Sequence, residues 1–178
     1  MCGIVGVYLK TKKFEKDLGK ILSEMLNNME SRGPDSAGFA IYNNENEQNY
    51  KYSLCINKLN FDDFKKEING KIKKPTFNLL SDHVILKTED EPKKVIKIIN
   101  SEFPNVSLVG YGKSIEIFKQ VGNPKDVVKK FKLETFSGSH GIGHTRMATE
   151  SAITTDGSHP YSTGEDECLV HNGSLSNH

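Results

Sequence analysis

The chain opens on an apolar run rich in β-branched side chains, residues 2–9 (CGIVGVYL), which reads as a buried strand beginning at the terminus itself. A strand so placed holds Cys2 within the fold. Behind it, Leu18, Ile21, Leu22, Met25, Leu26 and Met29 recur at helical spacing over residues 15–30 and make one apolar stripe suited to packing on a sheet. The loop Ser31-Arg32-Gly33-Pro34-Asp35-Ser36 ends that helix, because a residue before proline avoids the helical region and Gly33 permits a sharp reversal. Strands are expected at 37–42 and 50–56, joined by the Asn/Glu-rich turn 43–49.

The middle of the chain, residues 57–135, is lysine-rich and alternates helical patterns (61–68, 92–103, 124–131) with strand-like runs (84–87, 106–109, 115–121). It reads as a small α/β segment inserted in, or elaborating, one domain that spans residues 1–178, and its charge runs read as solvated faces without chemistry. After Ser137 the composition turns to Gly, His, Thr and Ser, with strands expected at 142–147 and 168–172 and loops of the kind that carry sites between them. The chain stops shortly after the last of these strands, which reads as a truncated piece.

The formal net charge of +1 leaves no basic excess of the sort that nucleic acid or anionic membranes select. Residues 4–9 are interrupted by Gly6 and lack the length and basic flank of a signal peptide or membrane span, so a cytoplasmic protein is expected. Three cysteines, Cys2, Cys55 and Cys168, are too few for a disulfide framework and should be free thiols.

Of these, Cys2 carries distinctive chemistry. Removal of the initiator methionine leaves a thiol and an α-amine on one residue, and an α-amine with a pKa of about 7.7–8.0 is close to the optimum for a general base. One residue then supplies both nucleophile and base. The plain alternative is a buried, inert cysteine.

Four blocks bear on that choice: Met1-Cys2-Gly3-Ile4-Val5-Gly6, Ser31-Arg32-Gly33-Pro34-Asp35-Ser36-Ala37-Gly38, Gly143-His144-Thr145-Arg146-Met147-Ala148-Thr149 and Val170-His171-Asn172-Gly173. In this order they resemble the class II glutamine amidotransferases. The resemblance implies an α+β fold, the N-terminal-nucleophile hydrolase αββα sandwich of two mainly antiparallel sheets. It also implies a glutaminase reaction that needs no cofactor or metal, and release of ammonia to an acceptor on another domain or subunit of an oligomeric assembly.

Onto the matching positions it carries Cys2 as nucleophile, Asn172 and Gly173 as oxyanion donors, Arg146 for the glutamine α-carboxylate and Thr149 for a further hydroxyl contact. These assignments make chemical sense. A tetrahedral oxyanion needs fixed neutral donors, each worth about 3 kcal/mol elsewhere, and a guanidinium grips a carboxylate bidentately. Without the other blocks, Asn172-Gly173 reads as a hairpin turn and Arg146 as a surface ion-pair partner. Arg32, Gly33 and Asp35 read as a brace beside the nucleophile, with Asp35 orienting neighbouring backbone. His159, before Pro160, reads as a satisfied structural histidine, or else as a holder of the glutamine loop.

Met147 and Glu150 depart from the sugar-phosphate-forming relatives, and the long stretch between Gly38 and Gly143 leans toward glutamate-synthase-like amidotransferase subunits. The acidic residue that grips the glutamine amino group in the family follows the Asn-Gly block beyond His178. Two rivals stand beside this reading. One is a catalytically incomplete regulatory or assembly domain of the same fold. The other is a zinc module built on His140, His144, Cys168 and His171, whose H-x-x-x-H and C-x-x-H spacings suit the metal. Gly141 and Gly143 argue against the helix that would turn both histidine rings the same way.

Overall fold

The computed structural model describes residues 2–43, 48–57, 59–148 and 152–173. In chain order the elements are β1 (Gly3–Tyr8), α1 (Leu18–Asn28), β2 (Ser36–Tyr42), β3 (Tyr50–Cys55), α2 (Phe61–Asn69), β4 (Thr76–Leu80), β5 (His83–Thr88), α3 (Pro92–Glu102), β6 (Ser107–Gly112), β7 (Ile115–Val121), α4 (Pro124–Lys130), β8 (His140–Arg146), β9 (Tyr161–Gly164) and β10 (Glu167–Leu169). The helix starts follow local chemistry. Asn60 caps α2 by accepting from the backbone N–H groups of Asp62 and Asp63, and Asn123 caps α4 through that of Lys125. Pro92 and Pro124 open α3 and α4, where a missing N–H is harmless.

Two four-stranded antiparallel sheets form the centre, with strand orders β1-β8-β2-β7 and β4-β5-β3-β6. On the outer face of the first, Leu18, Leu22 and Leu26 of α1 and Val127 and Val128 of α4 pack against Val5, Phe39 and Phe118. On the outer face of the second, Phe64 and Ile68 of α2 and Val95 and Ile99 of α3 cover Tyr52, Leu54, Val84 and Leu86. Ala40, Cys55, Val109, Ile115 and Ile117 fill the space between the sheets. This is the α+β, αββα sandwich expected from the resemblance. Residues 57–135 supply three strands of the second sheet, both of its covering helices, and β7 of the first.

The opening strand differs from expectation. It lies at a sheet edge and is covered on one face only, so Val5 is buried while Ile4 and Tyr8 are 43% and 73% exposed. A short apolar run does not distinguish a strand buried on both faces from one buried on a single face. Two strands went unread, β4 and β9, and the last expected strand is shorter than 168–172 because it pairs with β9 in a separate hairpin.

That hairpin is pinned at its turn. Asp166 takes a left-handed conformation (φ 56°), which aspartate tolerates. Its carboxylate accepts from the backbone N–H groups of Lys113, Ser114 and Ile115 at 3.0, 2.8 and 2.9 Å, and from the Ser114 hydroxyl. Burial pushes this carboxyl's pKa up, but the backbone hydrogen bonds outweigh it and hold the group below the usual carboxylate range. Asp166→Ala strands these donors, and we expect about 3 kcal/mol of destabilisation, read as a lower urea midpoint. An unchanged midpoint would show that the hairpin is held elsewhere.

Candidate active site

β1 starts immediately after Cys2, and the ladder with β8 sets Gly3 opposite Thr145 while β2 sets Ser36 opposite Arg146. The ends of three neighbouring strands therefore meet around the cysteine. Gly33 passes so close to β8 that a Cβ there would lie 2.4 Å from the Thr145 carbonyl carbon, which explains why this turn needs glycine.

Asp35 clasps the segment after β8 from two sides. Its N–H donates to Arg146 O at 3.0 Å, and its carboxylate accepts from the N–H of Ala148 at 2.7 Å. Between those bonds lies Met147, whose carbonyl is 3.9 Å from Cys2 Sγ and accepts from the thiol. The brace at Asp35 thus acts on backbone, at the peptide that faces the sulfur.

Asn172 arrives from 170 residues along the chain and grips the Cys2 backbone twice. Its Oδ1 accepts from Cys2 N at 3.2 Å, and its Nδ2 donates to Cys2 O at 3.2 Å. The same carbonyl receives Arg32 Nε at 3.5 Å. Gly173 follows with φ 128°, a region that glycine enters without strain, and its missing side chain leaves open space. Arg146 is buried and donates from Nη1 to Ala152 O at 3.2 Å. Cys2, Arg32, Gly33, Asp35, Arg146, Asn172 and Gly173 are thus assembled around one strand-end region. Thr149 lies outside the described residues.

His159 corrects the expectation of a satisfied histidine. It is buried, and neither ring nitrogen has a hydrogen-bond partner among the described residues. Its ring lies 4.1 Å from that of His144, 4.6 Å from His171 and 4.4 Å from Tyr161, centroid to centroid. Burial, with neighbouring cationic and imidazole groups adding to it, pushes its pKa down to about 3.

His144 was singled out only as a zinc candidate, yet its Nε2–H donates to His171 O at 2.9 Å, the residue just before Asn172. It therefore supports the loop that grips Cys2. Burial brings its pKa down to about 4, against the opposing pull of that hydrogen bond. No local pattern announces this role, because donor and acceptor are 27 residues apart.

The zinc set itself does not converge. His140 and His144 share a strand, not a helix, and four strand residues span about 13 Å. His140 instead stacks on Tyr42, Cys168 meets the Tyr42 hydroxyl at 3.5 Å, and His171 meets His144 through its backbone carbonyl. None of the four belongs to a cluster of metal-type donors among the described residues. No helix of the described residues is long and apolar enough to cross a membrane.

No family model matches the chain. Across its whole length it is 46% identical to the glutamine amidotransferase-like protein GlxB of Rhizobium meliloti, and 31% identical to a protein provisionally named a glutamine amidotransferase in Methanothermobacter thermautotrophicus. It spans 60% and 63% of the lengths of those two proteins. Over 99% of the chain it is 28% identical to a glutamine–fructose-6-phosphate aminotransferase of Francisella tularensis, of which it spans 17%. The chain is thus similar over its whole length to glutamine amidotransferase-like proteins, and it carries that similarity on an αββα sandwich with a cysteine at the head of its edge strand.

Proposed function

We propose that the chain hydrolyses glutamine, with Cys2 as N-terminal nucleophile once Met1 is removed, and delivers ammonia to an acceptor on another domain or subunit. The observation that carries the reading is the double grip of Asn172 on the Cys2 backbone, which holds the nitrogen that becomes the α-amine 3.2 Å from Oδ1. The amine takes the thiol proton, and sulfur attacks the side-chain carbonyl of glutamine. The oxyanion is met by Asn172 and by the Gly173 N–H. The protonated amine then gives its proton to the departing nitrogen, and ammonia leaves a γ-glutamyl thioester. Water activated by the same amine hydrolyses the thioester to glutamate and free thiol. Arg146, with Thr149, binds the α-carboxylate.

Arg32, Gly33 and Asp35 keep the backbone around Cys2 in register, and His159 with His144 supports the Asn172 loop. The aminotransferase relative, matched over a minor part of its own length, supports an acceptor-bearing domain or subunit. Three free thiols fit a cytoplasmic setting.

One observation favours a catalytically incomplete domain instead: Asn172 Nδ2 is engaged on Cys2 O. An amide nitrogen carries two hydrogens, however, and one remains for the oxyanion. A glutamine-like electrophile decides between the readings. We expect it to add one equivalent to the full-length protein, on Cys2, by peptide mass spectrometry. Asn172→Ala is expected to slow both labelling and turnover by about 100- to 1000-fold. Label found on Cys55 or Cys168, or a mature protein that retains Met1, overturns the enzymatic reading.

A further inference from the structure

A second group of reactive side chains lies away from Cys2, between the sheets. Cys55 ends β3 and is paired in register with His83, which begins β5. Residues directly opposite in an antiparallel ladder share a face. Cys55 belongs to the cluster between the sheets, as does Ser53 two residues earlier through its hydroxyl bond to Ile117 N on β7. Asp82, next to His83 in sequence, turns its carboxylate Oδ1 to His83 Nδ1 at 2.9 Å. One donor atom from each of Cys55, Asp82 and His83 lies within 4.8 Å of the other two, the one such trio among the described residues. His83 is fully buried and its Nε2 has no hydrogen-bond partner among the described residues. Asp82 reaches solvent through a cleft of about 800 Å³ that it lines with Asn57, Asn105, Ser107 and Asp156.

We propose that Cys55, Asp82 and His83 form a zinc-type divalent metal site, separate from the glutamine centre, with its remaining coordination position open to that cleft. Sulfur, imidazole nitrogen and carboxylate oxygen are the donor set of a borderline-soft tetrahedral ion. A divalent ion meets a thiolate and a carboxylate, while Lys130 stays on the second oxygen of Asp82 at 2.8 Å and Asp156 lines the same cleft as Asp82. The buried Lys119, which interacts electrostatically with Cys55 and Asp156, is a further cation nearby. Binding replaces the Cys55 S–H by a metal–sulfur bond and releases that proton to water, so affinity rises with pH. A metal-free Cys-His-Asp nucleophile is the competing use of these residues, but Cys55 is only 2% exposed and a substrate carbonyl does not reach it.

The test loads the full-length protein with cobalt(II), removes excess by dialysis and reads metal content and absorption. Roughly one ion per chain is expected, with a thiolate-to-cobalt charge-transfer band and visible bands of tetrahedral intensity, all displaced by zinc. Cys55→Ser should remove the charge-transfer band and weaken binding at least 10-fold, and His83→Gln should weaken binding comparably. Cys2→Ser should leave both unchanged. A wild-type protein that retains no cobalt after dialysis overturns the proposal whether or not the variants fold, and so does a band that survives Cys55→Ser or vanishes with Cys2→Ser.

Discussion

Glutamine hydrolysis by the Cys2→Ala protein is expected to fall to background, a loss on the order of 10⁴- to 10⁶-fold of the sort seen when an acyl-transfer nucleophile is deleted. The thiol has no understudy. Cys55 is buried between the sheets, and Cys168 sits against the Tyr42 hydroxyl on the β9–β10 hairpin. Cys168→Ala should therefore retain wild-type turnover. Cys2→Ser keeps the hydrogen-bonding shape of the residue but replaces the thiol with a far less acidic hydroxyl, so it too should fail. Because Asn172 binds the Cys2 backbone and not its sulfur, neither substitution disturbs the grip on the terminus. The loss should then appear in kcat with the urea midpoint unchanged. Turnover that persists in Cys2→Ala assigns the chemistry to another residue.

Mild acid should destabilise the protein sharply. His144 and His159 are buried, and their pKa values lie near 4 and 3, below the ordinary value of 6.5. Between pH 6.5 and about 4 the unfolded chain therefore binds protons at these two positions that the folded chain rejects. Stability is full above pH 6.5 and falls as pH falls through that window. Between pH 8 and pH 5 the two together amount to a loss on the order of 4 kcal/mol, a large share of the 5–15 kcal/mol that holds an ordinary domain together.

The two rings are 4.1 Å apart, so a proton on one also opposes a proton on the other. Urea midpoints at pH 8, 6 and 5 read the effect directly. His159→Phe keeps the ring contacts and removes one titrating group, so it should flatten the pH dependence by about half. A midpoint that does not move between pH 8 and pH 5 refutes the account. The loss also bears on the site, since protonation pressure on His144 acts on the residue that fastens His171 beside Asn172.

Much of the architecture could be read locally. The stripe through Leu18, Leu22 and Leu26 became the buried face of α1, and the helical patterns at 61–68 and 124–131 became α2 and α4. The four blocks single out Cys2, Asp35, Arg146 and Asn172, which the fold brings to one strand-end region. Other features were not legible. β4 has an irregular burial pattern with no alternation to detect, and β9 is four residues long.

By itself the sequence determined which segments become helices and most of the strands, the thiol at the head of the chain, and the family to which its blocks point. These depend on periodicity, caps and turn residues, whose energetics act over a few positions. Only the tertiary structure decided that β1 is an edge strand, that Asn172 clasps Cys2, that His159 is buried without a hydrogen-bond partner among the described residues, and that Cys55 meets His83 across a ladder. Each of these joins groups far apart in the chain, and such pairings are set by how two sheets register and bury each other's faces, which no short window of residues encodes.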